Sequence, residues 1–167
     1  MFKKILPFTL LTAISMGGCA TQHVAETQGK NNRLAVGSIR TVRTTAYTSS
    51  EPGGSHSASG TRLCCTNAKG RVKSAASDWS RYPLGTEFKI LSTGEIYEVC
   101  DYGSALVGKN TIDLYKGSRK EMRRWGARYV QIKIIRWGSP EKSREMLTGR
   151  SRYWHVRMML ADLREES

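Results

Sequence analysis

The sequence predicts a mainly β protein, built as a small closed barrel with one or two short helices and a helical C-terminal tail. Runs rich in β-branched and aromatic residues indicate strands, and turn residues separate them, at positions 39–48, 86–91, 95–101 and 130–137. Gly94 in a short loop joins the second and third runs as a hairpin. Closure is favoured because only a barrel removes the unpaired edges of so few strands.

One short helix is predicted inside this domain. Ser118 and Glu121 have the spacing of a capping box, Met122 and Trp125 supply an apolar side, and Gly126 is a typical helix terminator. The segment therefore carries its own start and stop signals.

The chain after Pro140 has a different character, with charged residues between apolar residues at helical spacing: Tyr153, Val156, Leu160 and Leu163. We expect this tail to pack across the barrel. The alternative is an amphipathic helix that binds a membrane or a partner protein.

The N-terminal residues resemble a bacterial lipoprotein signal. Lys3 and Lys4 precede an apolar run that is too short to span a bilayer comfortably, and two glycines precede Cys19. The expected organisation is a signal peptide at 1–18, lipidated Cys19 with a flexible tether at 19–37, a barrel domain at 38–138 and a helical extension at 139–167. An ordinary secretory signal or an unprocessed anchor is the alternative.

The resemblance to lipoproteins also implies a location. Ala20 follows the cysteine where aspartate would favour the inner membrane, so we expect a lipid-anchored protein of the bacterial cell envelope, at the outer membrane and facing the periplasm. More than one acyl chain on Cys19 would anchor it stably, because a single chain binds only marginally.

Three further cysteines lie in the predicted barrel. Exported proteins can form disulfides, and a bridge from Cys64 or Cys65 to Cys100 would close a loop of about 35 residues and stabilise the fold by roughly 3–4 kcal/mol. Histidine and cysteine do not recur at ligand spacing, so we expect no metal site and no cofactor.

Positive charge is concentrated in one segment. The chain has 27 Lys and Arg against 14 Asp and Glu, a formal net charge of +13, and residues 116–136 contain eight basic side chains and only Glu121 as an acid. An exported protein without a nucleic-acid module signature is not expected to bind nucleic acid. Anionic polymers or lipids of the envelope are the expected partners, with a solvated face that maintains solubility as the alternative.

Three aspartates are the candidate catalytic residues: Asp78, Asp101 and Asp113. Each lies among small, apolar or aromatic residues and not among other charges. Desolvation raises the pKa of a carboxyl group in such surroundings, as a general acid near neutral pH requires, and Ile112, Leu114 and Tyr115 are expected to act in this way on Asp113.

The aspartates belong to a series of short motifs, which are, in chain order, Thr45-Ala46-Tyr47, Gly60, Ala75-Ala76-Ser77-Asp78, Pro83-Leu84-Gly85-Thr86, Asp101-Tyr102-Gly103-Ser104-Ala105, Gly108 and Ile112-Asp113-Leu114-Tyr115. From about Arg43 to Arg136, these motifs resemble the three-aspartate (3D) domain family. That family is similar to the C-terminal part of membrane-bound lytic transglycosylase A and, more distantly, to rare lipoprotein A, expansin and family-45 endoglucanase domains.

The resemblance implies a six-stranded double-psi β-barrel with the aspartates around one groove. It also implies cleavage of the MurNAc-GlcNAc β-1,4 bond of peptidoglycan to a 1,6-anhydro product. The alternatives are a non-catalytic peptidoglycan-binding lipoprotein and a two-carboxylate glycoside hydrolase. Peptidoglycan glycan strands are the implied partner, the lipid anchor would bind the membrane, and we expect a monomer.

The matched motifs also imply roles. Asp113 would be the acid and base, and Asp101 a second carboxylate that stabilises positive charge or raises the pKa of Asp113. Asp78 would support the groove through backbone N–H groups near residues 83–85, or cap a loop. Substrate contacts are expected from Tyr47, Tyr102, Gly103, Ser104 and Ala105. Trp79 is a further candidate for stacking on sugars or an ordinary core residue.

The interval from Asp101 to Asp113 is one residue longer than the common family pattern. Two outcomes are open: either a β-bulge near Lys109 and Asn110 absorbs this residue and keeps both side chains in the groove, or the groove binds glycan without cutting it.

Overall fold

The computed structural model describes residues 35–50, 54–66 and 72–165. The predicted signal peptide, Cys19 and most of the tether lie outside these residues. In chain order the elements are β1 (Ile39–Tyr47), β2 (Lys73–Ala76), β3 (Glu87–Ile90), β4 (Ile96–Asp101), β5 (Thr111–Tyr115), α1 (Arg119–Trp125), β6 (Arg128–Arg136), α2 (Pro140–Thr148) and α3 (Trp154–Glu165).

The six strands form a closed barrel in the order β1-β5-β2-β4-β3-β6. Strand β1 runs parallel to β5, and β2 runs parallel to β4, whereas the other neighbours are antiparallel. The predicted fold class is therefore confirmed. Every strand has two neighbours, so the barrel has no unpaired edge.

The strand patterns of the sequence located four of the six strands. They missed β2 and β5, which lie side by side between β1 and β4. Strand β2 is only four residues long and contains Ala75 and Ala76, which have low β propensity. Its structure depends on hydrogen bonds to neighbours that are distant in the sequence, and a local pattern does not report those.

The core fills the barrel and extends under the C-terminal helices. Strand β6 has the expected period of two, because Val130, Ile132 and Ile134 are buried between exposed residues. Leu147 of α2 and Val156 of α3 belong to the same apolar cluster as these strand residues. The two helices are thus part of the domain core.

The C-terminal tail is two helices and not one. Val156, Leu160 and Leu163 are buried as predicted, and the tail packs across the barrel. Tyr153 differs from the prediction, because it precedes α3 and its side chain is 42% exposed. Within the described ranges, no helix has the length and apolarity needed to cross a membrane.

Helix α1 begins and ends where the sequence predicts. The Ser118 hydroxyl accepts a hydrogen bond from the Glu121 N–H, and Gly126 ends the helix with a positive φ of 61°. Trp125 is buried against the barrel and donates its indole N–H to the Thr44 hydroxyl at 3.2 Å. The basic residues of α1 therefore remain on its exposed side.

Candidate functional site

The strand register places two of the three aspartates on either side of one small residue. Ala76 of β2 is paired with Asp113 of β5 on one side and with Asp101 of β4 on the other. Paired residues on neighbouring strands point to the same face of a sheet, and strands are about 4.8 Å apart, so the two Cα atoms are about 10 Å apart. The Ala76 methyl group leaves space between the two carboxyl groups.

Asp101 is half-buried at the end of β4 and its carboxylate is held by two backbone groups. Oδ1 accepts hydrogen bonds from the Ala58 and Tyr102 N–H groups, each at 2.9 Å. Burial raises the pKa of Asp101, and these two hydrogen bonds together with the charge of Arg150 oppose the rise. The balance leaves the pKa of this carboxyl group above its ordinary value.

Trp79 fixes the backbone of the same aspartate. Its indole N–H donates to the Asp101 carbonyl oxygen at 2.9 Å, and its ring meets the Tyr102 ring edge-on at 5.0 Å. Trp79 is completely buried and so does not stack on a ligand from solvent. The interpretation of Trp79 as a core residue is the correct one.

The register irregularity next to the paired aspartates lies at Cys100 and not at Lys109 and Asn110. Ala75 pairs with Val99 and Ala76 pairs with Asp101, so Cys100 is the additional residue of β4. Lys109 and Asn110 belong to the connection before β5. A bulge changes the direction of the next side chain, and here that side chain is Asp101.

Asp113 is half-buried in the middle of β5, and the Thr45 hydroxyl donates to its Oδ1 at 2.6 Å. The prediction that Ile112 and Leu114 surround this carboxyl group is wrong. Both side chains are fully buried in the barrel, and alternate residues of a strand point to opposite faces. The ring of Tyr115, two residues along, is on the face of Asp113.

Tyr47 lies close enough to both carboxyl groups to respond to their charges. Its ring meets that of Tyr115 edge-on at 5.4 Å, and the pKa of its hydroxyl is raised by burial and then by neighbouring negative charges, of which Asp101 is the largest and Asp113 a smaller one. The hydroxyl favours the ionised form of Asp101, although the two groups do not reach full hydrogen-bond geometry. Tyr47 therefore shares the environment of both aspartates.

Asp78 lies apart from this pair and is 1% exposed. Its Oδ1 accepts hydrogen bonds from the N–H and hydroxyl of Ser80, and its Oδ2 accepts one from the Gly108 N–H at 2.7 Å. The expected partners at residues 83–85 are therefore replaced by Ser80 and Gly108. Gly108 has a φ of 76°, and Asp78 thus fixes the end of the loop that follows Asp101.

The predicted substrate-contact residues of that loop lie beside Asp101. Ser104 and Ala105 are exposed, whereas Gly103 and Tyr102 are partly covered. A Cβ atom on Gly103 would meet only Leu106, at an ordinary contact distance of 3.6 Å. Local packing therefore does not require glycine at this position.

Arg150 is a site residue that the sequence patterns missed. It lies between α2 and α3, donates to the Ala58 carbonyl oxygen at 2.8 Å and covers the Tyr102 ring at 5.9 Å. The Ala58 N–H in turn binds Asp101. Arg150 thus holds the residue whose N–H binds this carboxylate, through the carbonyl group of that residue. No local motif marks Arg150 because its partners are far away in the chain.

The Arg150→Gln variant is expected to raise the pKa of Asp101 further, because the guanidinium charge favours the ionised carboxylate. Carbon-detected NMR titration of the aspartate carboxyl groups would measure this shift. Arg152→Gln is the matched control, since Arg152 is in the same turn but contacts the Tyr153 ring. An Asp101 titration that is the same in both variants would contradict the assignment.

The three cysteines are free thiols in the structure, so the predicted disulfide is not formed there. The Cys64 thiol donates to the Thr66 carbonyl oxygen at 3.2 Å. Cys100 is buried near the hydroxyls of Ser74 and Ser57, and burial raises the pKa of its thiol. Cys65 packs against the small apolar cluster that contains Cys100.

A segment of this chain is similar to a known protein family. Residues 73–136 match the 3D domain. The match includes all three aspartates and extends from the start of β2 to the end of β6. It excludes β1, which carries Thr45 and Tyr47, and the C-terminal segment, which carries Arg150.

A curated relative has a similar sequence over a longer segment. The chain is 36% identical over 103 residues to a Bacillus subtilis (strain 168) protein described as the cell wall shaping protein YabE. The similar segment is 60% of this chain but only 24% of the relative. The chain therefore spans about a quarter of the length of that protein.

Proposed function

We propose that this protein cleaves peptidoglycan glycan strands as a lytic transglycosylase in cell-wall turnover. The 3D domain match and the cell-wall description of the relative support a role at peptidoglycan. The observation that carries the proposal is the placement of Asp113 and Asp101 on either side of Ala76, on one face of the barrel. A sugar ring between them would meet a carboxyl group at each end.

In the proposed reaction, protonated Asp113 gives its proton to the glycosidic oxygen as the bond from the MurNAc anomeric carbon breaks. The ionised Asp113 then accepts the proton of the MurNAc C6 hydroxyl as that oxygen bonds to the anomeric carbon. The product is a 1,6-anhydro sugar, no water is consumed, and Asp113 regains its proton. The Thr45 hydroxyl orients the carboxyl group for both transfers.

Asp101 has a different part in this mechanism. Its carboxylate stabilises the positive charge that develops at the anomeric carbon, and the Ala58 and Tyr102 N–H groups hold it in place. Tyr47 lies beside both carboxyl groups and is proposed to contact the sugar with Tyr102 and the exposed Ser104 and Ala105. Asp78 acts on the site only through the loop that it fixes at Gly108.

We also propose that the protein works as a lipid-anchored monomer, attached through Cys19 to the outer membrane and facing the periplasm. Such an anchor would keep the barrel close to its polymeric substrate. The exposed basic residues of α1 would then face an envelope rich in anionic groups.

The test is incubation of the protein with purified sacculi, followed by mass spectrometry of the soluble products. We expect muropeptides with 1,6-anhydro ends. Products with reducing ends would identify hydrolysis, which two carboxylates about 6.5–9.5 Å apart perform with a water between them. Binding to sacculi without released fragments would contradict cleavage and leave a peptidoglycan-binding protein.

A further inference from the structure

A cavity of about 350 Å³, which none of the three aspartates lines, lies at the end of the barrel where β2 and β4 begin. Lys73 is the first residue of β2, Glu95 directly precedes β4, and Lys116 directly follows β5. Strand β4 ends at Asp101, and six residues of strand span about 20 Å. The cavity is thus at the opposite end of β4 from Asp101, and the proposed reaction uses none of the residues that line it.

The floor of this cavity holds a buried lysine. Lys116 is 8% exposed, its Nζ donates to the Tyr97 hydroxyl at 2.7 Å, and it lies 4.5 Å from the centre of the Trp125 ring. Glu95 is 3.6 Å from the same Nζ and also forms an ion pair with Lys73. Both ammonium groups therefore share the Glu95 carboxylate.

The lining as a whole has an excess of positive charge. Its four basic residues are Lys73, Lys116, Arg124 and Arg128, and its two acidic residues are Glu95 and Glu121. The Arg128 guanidinium lies over Trp125 at 4.6 Å. Arg124 is exposed at the rim and, among the described residues, has no carboxylate within 4.0 Å. Its planar group of donors is suited to an incoming carboxylate.

We propose that this cavity binds a short peptide segment with free carboxylate groups. Arg124 and Lys116 would bind the carboxylates, and Glu121 would accept hydrogen bonds from peptide N–H groups. With four basic and two acidic residues in the lining, the positive excess is small, and it suits a ligand with few carboxylates better than one dense in phosphate. Its volume is in the usual range for small-ligand sites. The identification of this peptide as the stem peptide of peptidoglycan rests on the proposed function. The preference of the cavity for a ligand with carboxylate groups does not.

The test measures binding of a purified stem tetrapeptide, free of glycan, to the whole protein by isothermal titration calorimetry. Arg124→Glu is compared with Arg123→Glu, because both residues are exposed in α1 and only Arg124 lines the cavity. We expect Arg124→Glu to weaken binding at least about tenfold, and Arg123→Glu to change it less than about twofold. The same peptide with amidated carboxylates should not bind.

Equal effects of the two substitutions, or undiminished binding of the amidated peptide, would overturn the proposal. Tighter binding of inorganic phosphate than of the peptide, with the same dependence on Arg124, would overturn it in favour of a phosphate ligand. If Arg124→Glu does not fold, Arg124→Gln replaces it in the binding measurement, because glutamine removes the positive charge without introducing a negative one. Because the assay contains no glycan, its result is independent of whether the protein cleaves sacculi.

Discussion

Asp113→Asn is expected to lower the release of anhydro-muropeptides from sacculi by a factor of about 10² to 10⁴, the usual contribution of a general acid and base. The amide has nearly the shape of the carboxyl group, and its oxygen still accepts the Thr45 hydrogen bond. It cannot protonate a glycosidic oxygen or accept the proton of a C6 hydroxyl. The measurement is the initial rate of product release at saturating sacculi.

Asp162→Asn is the matched control for this experiment. Asp162 is an exposed residue of α3, and its carboxylate is 3.4 Å from the Ser80 hydroxyl, whose proton is donated to Asp78 at the shorter distance of 2.7 Å. We expect it to retain the activity of the unsubstituted protein. If Asp113→Asn retained that activity while Asp101→Asn abolished it, the two carboxyl groups would have the opposite roles. Thermal unfolding of each variant would separate lost chemistry from a lost fold.

Gly138→Ala is expected to destabilise the domain by about 3 kcal/mol or more, because the added methyl group would collide with the backbone of residues 83–86. A Cβ atom here would lie 2.6 Å from the Thr86 nitrogen and still closer to the carbonyl oxygens of Pro83 and Leu84. The Gly138 N–H also donates to the buried Thr86 hydroxyl at 3.0 Å. The segment at Gly138 and the segment 83–86 cannot move apart without breaking the hydrogen bonds that join them. The measurement is the free energy of unfolding from urea titration.

Gly149→Ala provides the comparison. Gly149 has a helical backbone conformation, with φ −65°, and a Cβ atom there would meet nothing within 4 Å. Alanine restricts the unfolded chain, so we expect stability to be unchanged or raised by up to about 1 kcal/mol. Equal urea midpoints for Gly138→Ala and Gly149→Ala would show that the contact at Gly138 relaxes.

The Gly138 contact also gives a structural role to the Pro83-Leu84-Gly85-Thr86 motif, which the family resemblance grouped with the aspartate motifs. Residues 83–86 pack against the segment that follows β6, and the Ser139 N–H donates to the Leu84 carbonyl oxygen at 3.0 Å. The Ser143 hydroxyl of α2 accepts a hydrogen bond from the Leu84 N–H at 2.9 Å. The motif therefore joins the barrel to its C-terminal helices and does not touch the carboxyl groups.

Local signals were sufficient for much of the fold. The alternation of β6, the hairpin of β3 and β4 and the capped helix α1 depend on residues close together in the chain, and the structure has them within a few positions of the prediction. Strands β2 and β5 required the tertiary structure. The four residues of β2, which include Ser74 and two alanines, and the five residues of β5 become strands because each segment pairs on both sides with distant strands.

By itself, the sequence determined a mainly β domain and selected Asp113 as the candidate acid and base with Asp101 as the second carboxylate, because periodicity and motifs are local properties. Only the tertiary structure placed these two residues across Ala76, turned Ile112 and Leu114 away from Asp113 and brought Arg150 to the Ala58 peptide. Register, the face of a side chain and the surroundings of a charge depend on pairing between distant segments. Sequence motifs therefore identify the carboxyl groups, whereas the pairing of distant strands in the closed barrel determines which side chains and backbone groups surround each of them.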